Sequence, residues 1–383
     1  MLYRKSFRRS ALYITDKKFL VTKPFLPPLD EVHHLMERIW EKSWVTNQGY
    51  FHQMLEEKLA EYLNIDHISL FSSGTTSLIT AIKASGLKGE VITTPYSFVA
   101  TSHSIAWNGL EPVFADIEAE TLNIDPKSIE ENITEKTTAI VAVHCYGNPC
   151  DVEAIESIAN RHNLKLIYDG AHAFGVNCHC GSIFSHGDYS ITSFHATKVF
   201  NTFEGGAIIS NSKEDKQYID LLRNFGYKSE TEIVNIGING KMSEFNAALG
   251  VVQLRYIDKV LKEREYIYRR YTQNLNSQKG IKLIKFENSM KHNYSYMPIL
   301  ITEESKRQRD EVYDELKRVN IFTRRYFYPL ISDLKPHSQN KRRCKLPNAT
   351  TTSSSILCLP IYPGLKMNEV DYISDHIIRL CVK

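Results

Sequence analysis

A lysine that does chemistry near neutral pH must lose its proton easily, and partial desolvation on a loop at a strand end achieves this. Lys198 has that setting. It follows an alternating apolar segment ending at Ser193-Phe194, leaves through His195-Ala196-Thr197, and precedes Gly205-Gly206 and a second strand over 207–210. An amine so placed can form a Schiff base with a carbonyl compound. Upstream, the run 164–168 (LKLIY) predicts a buried parallel strand ending in Asp169, followed by Gly-Ala-His172-Ala-Phe-Gly. An acid at the carboxyl end of a central strand faces the ligand crevice of an α/β sheet. Left without a cationic partner it would cost several kcal/mol to bury. Still further upstream, HISLF (67–71) predicts a strand that passes through Ser72-Ser73-Gly74-Thr75-Thr76-Ser77 into the helical pattern LITAIKAS. Free N–H groups and the positive helix end there converge on an anion such as a phosphate.

A phosphate cradle, a strand-end carboxylate and a loop lysine, in that order, are what pyridoxal 5'-phosphate requires. With these residues in place, the chain from about Phe25 to the C-terminus resembles the fold type I, pyridoxal-phosphate-dependent sugar aminotransferases of the DegT/DnrJ/StrS group. The resemblance is carried by SSGTTSL (72–78), TPYSFVAT (94–101), VHCYGNPCD (143–151), YDGAHAFG (168–175), SFHATK (193–198), EGGAI (204–208) and GINGKMSEFNAALG (237–250). It implies that Lys198 binds the cofactor aldehyde and moves the proton, while Asp169 keeps the pyridine nitrogen protonated. His172 stands where the family has Gln or His beside the cofactor hydroxyl. Phe98 aligns with the aromatic that covers the ring, Ser193 with the hydroxyl on the phosphate, and Gly74 and Thr75 with its backbone N–H donors. Asn239 would reach the phosphate from a neighbouring subunit, which implies a homodimer with shared active sites. By periodicity alone Phe98 fits a core aromatic equally well, and His172 a satisfied buried histidine.

The stretches KPFLPPLDE, NQGYFHQMLEEKLAEYL and SFHATKVFNTFEGGAI resemble the family's viosamine-forming members of O-antigen and lipopolysaccharide pathways. These transfer an amine from L-glutamate to C-4 of dTDP-4-dehydro-6-deoxy-D-glucose. Family members that aminate C-3 of a dTDP-3-keto sugar share the fold and lysine motif, and spacing does not separate the two. Sugar 3-dehydratases of the superfamily carry histidine in place of the lysine, so Lys198 argues against them; a non-catalytic relative would tolerate loss of the whole set. In TRRYFYPLI (323–331), Arg324, Arg325 and Tyr326 lie beside Pro329. An arginine pair suits a diphosphate through charge-assisted contacts, although solvated charge on an edge strand explains it as well.

The elements that position these residues follow from the pattern. Seven short strands (HISLF, VITTP, PVFAD, TAIVAVHCY, KLIYD, SITSF, AIIS) alternate with helical segments, predicting an α/β fold whose mostly parallel seven-stranded sheet is covered on both faces. A chain of 383 residues exceeds one usual core. We expect an N-terminal extension over 1–24, a large cofactor-binding domain over 25–252, and a linking helix with a small α+β domain over 253–383. In that last part, 242–267 reads as one long helix, 294–301, 321–327 and 356–360 as strands, and 311–318 and 368–380 as helices. Lys plus Arg at 47 against Asp plus Glu at 44 leaves +3, too balanced for a nucleic-acid footprint. The seven cysteines do not form a disulfide framework and suit a reducing cytoplasm. Cys178-His179-Cys180, with His144, Cys145 and Cys150, lacks paired C-x-x-C spacing, so no metal is expected. Arg8-Arg9 is followed by no apolar run of signal length, and no segment is apolar enough to span a membrane.

Overall fold

The computed structural model describes residues 17–179, 181–284, 286, 291–337 and 344–382. Seven strands form one sheet in the spatial order His67–Phe71, Gly206–Ser210, Tyr189–Ser193, Lys165–Asp169, Thr137–Val143, Glu90–Thr93, Glu111–Phe114. Gly206–Ser210 runs antiparallel to both neighbours and every other pairing is parallel, which is the mostly parallel sheet expected. Its continuous apolar runs have a simple cause. Ile140 and Ala142 point into one core with Leu55, Leu59, Ile155 and Val252. Ala139 and Val141 point into another with Leu78, Ile82, Ile105 and Ile219. A strand buried on both faces has no polar side to alternate.

A second, antiparallel sheet orders Ile281–Leu283, Pro298–Ile301 and Ile356–Cys358, covered by helices Ile257–Leu275, Arg309–Arg318 and Met367–Cys381. Phe19 is buried in this unit and bridges Ile321, which ties the chain just before Phe25 to its C-terminal part. Three expectations there are corrected. The stretch 242–267 is two helices, Glu244–Leu254 and Ile257–Leu275, parted at Arg255-Tyr256, where the Tyr256 ring packs on Phe25 and its hydroxyl meets Glu31. Of 294–301 only Pro298–Ile301 pairs as a strand. No strand forms over 321–327: apart from bridges at Ile321 and Arg324, this segment turns toward the large sheet, and the Tyr326 carbonyl accepts from the Tyr96 and Tyr146 hydroxyls. One helix carried no sequence signal. Pro347–Ser355 (PNATTTSSS) is poor in strong helix formers, but the Asp116 carboxylate accepts from the first-turn N–H groups of Asn348 (3.0 Å) and Ala349 (2.9 Å).

Candidate active site

The carboxyl ends of the central strands, the start of helix Gly74–Ala84 and the side chains of Tyr296, Tyr326 and Phe327 enclose a cavity of about 290 Å³. Strand Lys165–Asp169 delivers Asp169 to its floor, strand Tyr189–Ser193 delivers Ser193, and the following loop delivers Lys198. Gly74 and Thr75 line the cavity in the helix's first turn, whose N–H groups lack intrahelical partners. Ser73 caps that helix, its hydroxyl accepting from Thr76 N–H at 3.0 Å. Gly74 allows the close approach, because a Cβ there would lie 2.7 Å from the Cβ of Ser193.

Asp169 is buried, its Oδ1 accepting from Ala171 N–H (3.1 Å) and its Oδ2 from the Thr101 hydroxyl (2.8 Å). Ser97 Oγ lies 3.1 Å behind Thr101 Oγ1, which completes a hydroxyl relay into the carboxylate. Burial raises the Asp169 carboxyl, while these two donors and Lys198 pull the other way. Burial lowers the Lys198 ammonium to about 8 against the opposing pull of Asp169, so this amine is free over a useful range of pH. His172 is buried, with its ring stacked on Phe327 at 5.9 Å and meeting Tyr296 edge-on at 5.0 Å. Burial, then the charge of Lys198, hold it well below the usual histidine range, so it is neutral. Its Nδ1 accepts from Tyr146 N–H at 3.3 Å, which assigns the proton to Nε2 and makes that atom a donor.

Phe98 lies at the cavity mouth and is 58% exposed, so it is no core aromatic. Tyr326 lines the cavity as well. Two candidates are not brought there within this chain: exposed Asn239 bridges Asn224, and exposed Arg324 bridges Cys358. Thr101, Tyr296 and Phe327 were not read from sequence. Ser97 and Thr101 do stand four apart, a spacing that could have flagged the relay; the two aromatics had no local signal. Among the described residues no group of three or more His, Cys, Asp or Glu side chains is arranged for a metal ion, and Cys180 lies outside them. Nor is any helix among them long and apolar enough to cross a membrane.

A model of the DegT/DnrJ/EryC1/StrS aminotransferase family matches residues 30–378. The chain belongs to this family. Over 358 residues it is 53% identical to a dTDP-4-amino-4,6-dideoxy-D-glucose transaminase from Shigella dysenteriae, covering 94% of this chain and 98% of that one. A transaminase of the same name from Escherichia coli is 48% identical over 355 residues, covering 92% and 96%. A crystal structure of DesI in the presence of its TDP-sugar product superposes with a TM-score of 0.91 at 30% identity, covering 96% of this chain and 93% of that one. The chain is thus an aminotransferase by family, with the architecture of its solved relatives.

Proposed function

We propose that the protein transfers an amino group from L-glutamate to C-4 of dTDP-4-dehydro-6-deoxy-D-glucose, using pyridoxal 5'-phosphate and yielding dTDP-4-amino-4,6-dideoxy-D-glucose and 2-oxoglutarate. The observation that carries the chemistry is the meeting of Lys198, Asp169 and a helix start in one cavity. The substrate comes from the two highly similar transaminases.

The residues present fit the cofactor. The Gly74 approach to Ser193 leaves room for a phosphate against helix N–H groups and a hydroxyl. Asp169, buried and without an arginine among its bonded partners, suits a pyridinium N–H. The Nε2–H of His172 suits a phenolate oxygen. When bound, pyridoxal phosphate supplies an aldehyde for amine exchange and a ring that withdraws electrons from the reacting carbon. Lys198 holds the cofactor between turnovers and, released, carries the proton on and off the reacting carbon. The Thr101 hydroxyl, itself met by Ser97, opposes the rise that burial imposes on Asp169. Phe98 shields the outer face of the site and Tyr326 its sugar side, with Arg324 offered to the diphosphate. Asn239, exposed on the loop that also exposes Ile233, Ile236 and Ile238, meets the phosphate of a second copy in a homodimer.

The reading is tested by the visible absorbance of the purified protein with cofactor. Glutamate should bleach the band, dTDP-4-dehydro-6-deoxy-D-glucose should restore it, and the product should carry its amine at C-4. Lys198→Ala should lose turnover by at least about 10⁴-fold, on the scale of removing a covalent catalyst. Normal turnover by that variant would sink the assignment, and restoration only by a 3-keto sugar would move the amine to C-3.

A further inference from the structure

His172 is fixed from outside its own domain. Asn293, a buried residue of the C-terminal part, donates from Nδ2 to the main-chain oxygens of His172 (2.8 Å) and Phe174 (2.9 Å). Both hydrogens of the carboxamide are therefore committed to the loop that carries the histidine. The Ser295 hydroxyl lies 2.9 Å from the same His172 oxygen and 2.7 Å from Asn293 Oδ1, which also accepts from Ser295 N–H at 3.1 Å. Gly147 closes the arrangement, since a Cβ there would come within 2.8 Å of both Asn293 Oδ1 and the His172 oxygen.

The segment is itself anchored. Arg264, buried in helix Ile257–Leu275, directs Nη1 at the carbonyls of Tyr294 (3.2 Å), Ser295 (3.3 Å) and Ile361 (3.3 Å). Tyr296, the next residue along, supplies the ring that meets His172 edge-on.

We propose that Asn293, seconded by Ser295, is a positioning residue for amino transfer: by holding the His172 carbonyl it fixes the direction of the imidazole toward the cavity. Docking of the C-terminal part and presentation of His172 then become a single event. This rests on the aminotransferase reading above.

The test uses the full-length chain in two measurements. In ¹⁵N-histidine-labelled apoprotein, with the His172 signal assigned by its loss in His172→Gln, wild type shows a single Nε2–H tautomer. Asn293→Ala should move or broaden that signal with the rest of the histidine spectrum unchanged. In holoenzyme the same variant should lose about 10²-fold in kcat, the scale of a misplaced catalytic group, with KM for both substrates held within about twofold. In a His172→Gln background it should cause no further loss. An unmoved His172 signal, or losses that multiply in the double variant, would overturn the proposal. Should Asn293→Ala not fold, Ser295→Ala carries the same test with a smaller shift and a roughly threefold to tenfold fall in kcat; an unchanged signal and rate there would overturn it too. A His172 signal that moves as expected, in a protein whose wild type aminates no sugar, would uphold the positioning and defeat the reaction.

Discussion

Lys198 and Asp169 act on one another through the cavity they share. Burial brings the lysine down to about 8, and the aspartate charge opposes that fall. Below that pH the amine is an ammonium and cannot attack an aldehyde, so capture of pyridoxal phosphate by the apoprotein should speed up as pH rises through about 8. A solvated lysine would show that rise only near 10.4. Asp169→Asn removes the charge that favours the ammonium, and the midpoint of the capture rate should move to lower pH. Stopped-flow absorbance from pH 6 to 10 measures both; a midpoint that stays put or rises in the variant contradicts the coupling. The sequence made Lys198, Asp169, Ser193 and Gly74 legible because each lies at the end of a strong strand or helix pattern. Thr101 was half legible, in its four-residue spacing from Ser97. Tyr296 and Phe327 were not, since they reach the cavity by packing from the far end of the chain.

At the scale of elements, strand His67–Phe71 is the sheet's edge, and the outward backbone groups of Leu70 are met by side chains. Leu70 N–H donates to Glu56 Oε1 (3.0 Å), and Arg223 Nη1 donates to the Leu70 carbonyl (2.7 Å), as a neighbouring strand would. Arg223, fully buried, also pairs with Glu56 (2.9 Å) and Asp220 (2.6 Å). Burial pushes Glu56 up, but Arg223, Lys216 and His52 together pull it below 4.5. Its folded pKa is thus depressed, so it contributes stability above the unfolded value that is lost as pH falls through the folded one. Arg223→Met should cost about 1–3 kcal/mol, since Glu56 and Asp220 lose the guanidinium but keep Lys216 at 3.2 and 3.0 Å, and should weaken the rise in stability between pH 3 and 5. Urea unfolding at several pH values reads both, and a loss under about 1 kcal/mol would place the network among surface pairs. None of this was visible in sequence, where Glu56 and Arg223 look like solvated helix charges. Likewise 321–327 reads as a strand by composition, but its carbonyl at Tyr326 is claimed by two tyrosine hydroxyls before any ladder forms.

For the molecule as a whole, the surface carries a run of apolar side chains that one chain does not cover: Phe203, Phe225, Ile233, Val234, Ile236 and Phe245 are 40–86% exposed. Exposed apolar surface of this kind is what the proposed homodimer would bury. In the homodimer proposed above, Asn239 completes the site of a second copy, and the expected outcome is complementation. Lys198→Ala and Asn239→Ala subunits, each nearly inactive alone, should recover activity when unfolded and refolded together, because one site of each mixed dimer holds both native residues. Recovery no greater than either parent would mean that Asn239 serves its own chain. The alternation of strands and helices carried the α/β architecture from sequence, whereas the C-terminal part was only half legible because its short strands depend on neighbours. Gly206–Ser210, the strand that runs against its neighbours, has a consequence for synthesis. Among the described residues it is the one strand that pairs along the whole of the edge strand His67–Phe71, yet it emerges from the ribosome after the other five strands of the sheet. The apolar edge made first must wait longest to be covered, so nascent chains stalled before residue 206 should be the ones that chaperones hold.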